Sequence, residues 1–310
     1  MSTEKNNFEE SAEEFAKREE QKSNPNSLGK AKTIQSQEER GKITEEMGYI
    51  RVPMDSLPSR GMFYPTGTKI SIRSASSQEI RHWSTIDEND YNGMDEVLNF
   101  VIERCVRINV PGRISSWKDI KEIDRFYLIF AIREFTFKEG ENKLYVPTDN
   151  GEKVEVRKEM IKYFDLNEKL KKFYNDDEKC LVMNTKSGEI IKCYLPTIGV
   201  TQFIRQYVMN KRERGQQGQI DKAFLKYAPF IFPEWRTLNE KEYENAVVDS
   251  INWTNIKIST ISKISDLLAD GVEPKLSYKS PGGAELEAPL NFQGGIKSIF
   301  LISDIFDELV

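Results

Sequence analysis

The chain has few of the residues that most often carry chemistry. Its 310 residues include one histidine and three cysteines. A structural zinc site needs four nitrogen or sulfur ligands, which His82 and scattered cysteines do not supply. No Gly-x-Ser-x-Gly elbow stands ready to use His82 in a nucleophilic triad. His82 follows Arg81 in a stretch that reads as an exposed helix, so it is expected at a helix surface. The odd cysteine count fits a reducing compartment better than a disulfide framework. Cys180 and Cys193 fall on the two arms of an expected hairpin and read as small buried hydrophobes. The sequence contains neither a Gly-x4-Gly-Lys-Ser/Thr phosphate loop nor a Gly-x-Gly-x-x-Gly turn after a strand. No apolar run approaches the roughly 18 residues of a membrane-spanning helix. The first residues lack the basic-then-apolar order of a signal peptide. A net charge of −5 weighs against non-specific nucleic-acid binding, which depends on a basic surface. The expectation is a soluble, cytoplasmic non-enzyme without catalytic residue, metal or cofactor. Carboxylates are abundant, mostly in runs such as Asp176-Asp177-Glu178 that read as solvated loop. A hydrolase with carboxylates assembled in space stays open.

What the chain does have is organised around residues 56–73. Pro58 and Pro65 fix φ, Gly61 and Gly67 suit turns, and Met62, Phe63 and Tyr64 form an apolar knot between them. Ile70 and Ile72 then alternate with polar residues, the mark of a half-buried strand. Residues 1–46 are rich in Glu, Lys, Gln, Asn and Ser and carry too little apolar surface to offset the entropy of ordering. They are expected to be a disordered tail. Phe8, Ala12 and Phe15 recur about once per helical turn, so a docking helix that orders on a partner is the second reading.

Downstream the pattern is that of a folded region. Residues 48–52 read as a strand. Ser76 and Glu79 form a capping box that opens a helix over 77–86. Further helices are expected at 95–107 and 117–134. A hairpin follows, with arms at 143–146 and 152–156 about the strong turn signal Asn150-Gly151. A short helix near 158–174 precedes a second hairpin, 180–184 with 189–195. Helices are expected at 198–212 and 219–228. Thr237 and Glu240 then cap a helical region that bends near Asn252–Asn255 and stops at Gly271. A third hairpin pairs 275–279 with 285–290. The closing segment carries Ile296, Ile299, Phe300, Ile302, Ile305, Phe306 and Leu309 at helical spacing, suited to core or to a partner-facing surface. The fold class is α+β: helices packed with three antiparallel hairpins, and no βαβ alternation. The expected divisions are 1–46, 47–135 and 136–310.

The set Leu57-Pro58-Ser59-x-Gly61-x-x-Tyr64-Pro65, followed by Ile70-x-Ile72-Arg73, resembles the start of the baseplate hub subunit family of T-even bacteriophages. The capped helix after Ser76 and the Asp124-Arg125 element with Arg133 extend the likeness over residues 48–135. In contrast to relatives with a Cys-x-x-Cys pair in the hairpin region, residues 138–157 hold no cysteine. The resemblance implies a structural or assembly protein of a contractile tail, acting by protein–protein binding in the host cytoplasm and carried into the virion baseplate or not. Hub and tape-measure subunits are the implied partners, and a homo-oligomer is left open. Phe8, Phe15, Leu57, Pro58, Gly61, Tyr64, Ile302 and Phe306 are the candidate interaction residues. The alternative is a nucleic-acid-associated virion or replication protein using the basic loop 211–222, with Lys211, Arg212, Arg214 and Lys222.

Overall fold

The computed structural model describes residues 48–137, 143–147, 153–186, 188–272, 274–279, 283–290 and 295–301. The expected tail, with Phe8 and Phe15, lies outside the described residues, as do Ile302 and Phe306.

The Ile70/Ile72 alternation builds the central strand of an antiparallel sheet ordered β1-β2-β3, from Ile50–Val52, Lys69–Ile72 and Val106–Asn109. Val52, Ile70, Ile72 and Val106 are buried, while the alternate positions turn outward. Helix α1, Ser77–Trp83, opens on the expected capping box. Glu79 closes that box and also accepts from both terminal nitrogens of the Arg73 guanidinium. Burial would raise its carboxyl, but the bonds from Arg73 and Ser76 outweigh it and bring it down to about 2.

Helix α2, Tyr91–Cys105, stops two residues before the expected end. The Cys105 carbonyl accepts from Arg73 N–H at 2.9 Å, and Val106-x-Ile108 continues as β3 against β2. The helix expected from residue 117 is also broken. Two 3-10 turns, Trp117–Asp119 and Glu122–Asp124, precede α3, Arg125–Thr136. Between them Lys121 forms a bridge with Thr197, Glu122 N–H donates to Pro196 O, and Ile198 N–H donates to Ile120 O. Backbone groups committed to a distant segment cannot close helical bonds.

The three hairpins form as expected in their arms. Tyr145–Pro147 and Lys153–Glu155 pair as β4 and β5, and the turn about Asn150-Gly151 lies outside the described residues. Cys180–Asn184 and Ile190–Cys193 pair as β7 and β8, with the short strand β6, Tyr174–Asn175, on the far side of β7. Lys275–Lys279 and Glu285–Pro289 pair as β9 and β10. The helix expected at 158–174 reduces to a 3-10 turn and α4, Glu168–Lys171. Here Lys162 N–H donates to Lys275 O and Phe164 N–H to Pro58 O, again taking donors away from a helix.

Helices α5, Ile198–Glu213, and α6, Lys222–Ile231, precede α7, Glu240–Ile251, and α8, Asn255–Val272. The cap of α7 is Asn239, whose side chain accepts from Glu242 N–H, rather than Thr237. The expected bend is a break at Asn252–Thr254. Gly271 is no helix stop. It lies inside α8, where the ring of Phe164 occupies the space a Cβ would need.

Two hydrophobic cores result, and neither respects a division at residue 135/136. One gathers Leu57, Tyr64, Ile70, Trp83, Ile102 and Phe130 together with Leu144, Ile198, Leu276 and Phe300. The other gathers Leu181, Ile191, Phe224, Tyr243 and Leu268 together with Phe63 and Ile123. The fold is α+β.

Candidate functional site

Residues 57–65 fold as consecutive tight turns: Arg60 N–H donates to Leu57 O, Met62 N–H to Ser59 O and Tyr64 N–H to Gly61 O. Gly61 has φ +74° and sits so close to Met54 that an added Cβ would meet the Met54 Cβ at 3.1 Å. Phe63 also holds a positive φ of 66°, unusual for a bulky side chain. That twist sends neighbouring rings into different cores. Tyr64 enters the first, while Phe63 enters the second and packs edge-on to Tyr174 and Phe164, with ring centroids 5.0 and 6.1 Å away. The loop is a stitch between the two cores.

Its polar anchor is Asp124. Ser59 donates through its N–H to Oδ1 and through its hydroxyl to Oδ2, each at 2.8 Å. The Tyr64 hydroxyl donates to Oδ2 at 2.8 Å and accepts from the Lys121 backbone N–H at 2.8 Å. Lys121 Nζ in turn donates to Leu195 O at 3.1 Å. All five residues are buried. Burial pushes the Asp124 carboxyl up to about 6, against the donors and Lys121 that favour its charge. The same burial brings the Lys121 ammonium down to about 8 and drives the Tyr64 phenol well above its ordinary range.

Five residues earlier, Asp119 is buried with different partners. Arg236 reaches Oδ1 at 2.6 Å and Oδ2 at 2.7 Å, Trp235 Nε1 donates at 3.1 Å, and Arg113 lies 3.3 Å away. Burial is outweighed and the carboxyl stays below its ordinary value. A third node joins three helices: Arg125 contacts Asp95 at 2.6 Å and Glu122 at 3.2 Å, and Arg205 pairs with the same two carboxylates.

Tyr64, Lys121 and Asp119 line a cleft of about 560 Å³ together with Phe63, Arg113, Tyr194, Glu234 and the run Asp176-Asp177-Glu178. Its carboxylates are mostly matched to cations, with Asp176 paired to Lys179, Glu178 to Lys192 and Glu234 to Arg113. The cleft is concave and lined by both apolar and charged side chains, but most of its charged groups are arranged as structural pairs. Among the described residues no group of three or more His, Cys, Asp or Glu side chains is placed to hold a metal ion. Cys105, Cys180 and Cys193 are free and buried, and burial pushes the Cys193 thiol up to about 12.

Of the candidate interaction residues, Leu57, Pro58 and Tyr64 are buried inside the chain, so their side chains serve the cores and the Asp124 node rather than a partner-facing surface. Gly61 is half-buried and serves the turn. In the basic loop, Lys211 is buried and bonded to Glu244 at 2.7 Å, and Arg214 pairs with Glu240 at 3.2 Å. Half of that loop's positive charge is thus already matched by α7. His82 is exposed and its ring rests on Phe100, with centroids 4.1 Å apart. Sequence reasoning missed Lys121 and Asp119. Asp119 was within reach, because Ser116-x-x-Asp119 is itself a capping box. Lys121 carries no local signal.

No family model matches the chain, and no match was found among curated proteins or solved structures. No helix among the described residues is long and apolar enough to cross a membrane.

Proposed function

We propose that the chain is a non-enzymatic structural or assembly protein of a contractile-tail baseplate hub, working by protein–protein binding with hub or tape-measure subunits in the host cytoplasm. One observation carries the reading. Ser59 and Tyr64 from the first part of the motif, and Asp124 from the second, converge in a single buried node although 60 or more residues separate them. Residues bound into one node are constrained together, which supports treating the two parts as one signature. The geometry also defines what the signature does: it locks a loop between two cores and leaves contact with partners to other surfaces.

The test is co-expression of the tagged full chain with hub and tape-measure subunits of a contractile-tailed phage. Co-purification at near-stoichiometric ratio is the expected result, and purification of the chain alone in every pairing would overturn the reading. The nucleic-acid alternative gains no support from the loop 211–222, whose Lys211 and Arg214 are engaged by Glu244 and Glu240. It would return if DNA binding fell steeply with salt and vanished on replacing Arg212 and Arg214 with alanine.

A further inference from the structure

Lys121 brings an amine to the wall of the cleft and is only 7 % exposed. Its backbone is pinned by the bridge to Thr197 and by the bond from its N–H to the Tyr64 hydroxyl at 2.8 Å. The side-chain nitrogen lies 5.9 Å from the centre of the Tyr64 ring and feels the charges of Arg113 and Asp119. Tyr64, Arg113 and Asp119 all line the cleft, so the amine itself, and not only its stem, belongs there.

The three cations of the cleft are held in different ways. Arg113 pairs with Asp119 and Glu234, and Lys179 pairs with Asp176 at 2.6 Å. Lys121 has no ion pair among the described residues, and its ammonium makes one hydrogen bond, to Leu195 O at 3.1 Å. An ammonium has three N–H groups to donate, and a buried lysine is ordinarily paired. Burial brings this one down to about 8, against the pull of Asp124. Part of it is therefore the free amine near neutral pH, the form that attacks carbon. The surroundings suit a small ligand with an apolar body: about 560 Å³ is within the range of small-molecule sites, and Phe63, Val110, Tyr194 and Pro233 supply apolar surface. The electrophile that an amine captures with no further reagent is a carbonyl carbon.

We propose that the cleft is a covalent binding site for a small aldehyde, joined to Lys121 as an imine. The Nζ lone pair attacks the carbonyl carbon, and one amine hydrogen passes to the oxygen to give a carbinolamine. The hydroxyl then leaves with the other amine hydrogen as water. No electrons are gained or lost. This is reversible attachment rather than turnover, and it stands apart from the proposed hub role.

Reductive trapping on the full chain tests it, with benzaldehyde as the probe and cyanoborohydride to fix the imine as a secondary amine; peptide mapping by mass spectrometry locates the label. At about pH 7.5, about a quarter of Lys121 is neutral, against about one part in a thousand of an ordinary lysine. Lys121 is therefore expected to label at least about tenfold faster than the ion-paired Lys179. Its rate is expected to saturate as benzaldehyde rises, because the cleft holds the aldehyde before it reacts. The chain's α-amino group reacts in the same pH range and, with no cleft around it, serves as the linear internal standard. Thr66→Trp, at an exposed position lining the cleft, is expected to slow Lys121 at least about threefold and to leave the α-amino group unchanged. Absence of label on Lys121 while the α-amino group reacts would overturn the proposal. So would a rate at Lys121 no higher than at Lys179, a rate that stays linear up to the solubility of benzaldehyde, or a rate unaltered by Thr66→Trp.

Discussion

Asp119 and Asp124 are two buried aspartates in one segment, and their protons are held in opposite ways. Asp119 meets two guanidinium groups, and its carboxyl lies below the ordinary value. Asp124 meets a backbone N–H and two hydroxyls, and its carboxyl rises to about 6. The difference shows what neutral donors can and cannot do. Three good hydrogen bonds satisfy the oxygens, yet they do not replace the solvation lost on burial, whereas a fork of full positive charge does. The two nodes also do separate mechanical jobs. Asp119 ties the segment to Trp235 and Arg236 far along the chain, and Asp124 ties it to the turn-rich loop before β2.

Removing a node breaks the comparison most severely. Asp124→Ala leaves the Ser59 and Tyr64 donors buried without acceptors, and about 3–5 kcal/mol of stability should be lost. Chemical denaturation at pH 7 measures it. A loss below about 1 kcal/mol, the size of an ordinary surface change, would mean the loop between the cores does not depend on this carboxylate.

The protonation contrast predicts opposite pH profiles. The native state holds the Asp124 proton up to about 6, above the ordinary aspartate value near 4. Its contribution is therefore fully present below about pH 4 and is lost as pH rises through about 6, by roughly 2–3 kcal/mol relative to Asp124→Asn. Asp119 is shifted the other way, so its contribution is present above the ordinary value and is lost as pH falls below it. Stability curves of the two asparagine variants, each subtracted from wild type, should slope in opposite directions between about pH 3 and 7. Parallel slopes would sink the contrast.

How much of this was legible beforehand follows from where the determining contacts lie. The α1 capping box, the three hairpin arms and the strand through Ile70 and Ile72 rest on neighbours within a few residues, and the sequence pattern carries them. The single helix expected over 117–134 could not be corrected locally, because the bonds that break it come from Pro196–Ile198. Gly271 reads as a stop from its neighbours alone and turns out to make room for Phe164. The motif loop was visible as turns, yet the inward course of Leu57 and Tyr64 and their dependence on Asp124 needed a partner about 60 positions away. Charge pairing was not legible either: of the four basic residues Lys211, Arg212, Arg214 and Lys222, Lys211 and Arg214 are matched by α7, which sequence proximity does not reveal.

Tyr64 offers an intermediate test, because it serves Asp124 without being a charge. Tyr64→Phe keeps the ring in the first core but removes a donor to Asp124 and the acceptor for the buried Lys121 N–H. A loss of about 2 kcal/mol is expected, from one orphaned backbone donor and one missing bond. The variant should also lift the Asp124 carboxyl further above its present value, since a bond favouring the charged form is gone. The pH profile of the previous comparison would register this as a window displaced upward.

The smallest effects separate neutral from charged donors most cleanly. Ser59→Ala removes one hydroxyl from Asp124 while the Ser59 N–H remains, and Arg113→Ala removes one half-exposed guanidinium from Asp119 while Arg236 remains. Each should cost about 1 kcal/mol at low salt, the scale of a single hydrogen bond or a partly exposed ion pair. Their response to salt should differ. Raising the ionic strength to about 1 M screens the Arg113 contact, so that the penalty of Arg113→Ala shrinks, whereas the penalty of Ser59→Ala is unmoved. Equal salt dependence of the two variants would show that Asp124 and Asp119 are held by the same kind of force after all, and the distinction drawn from their partners would fail.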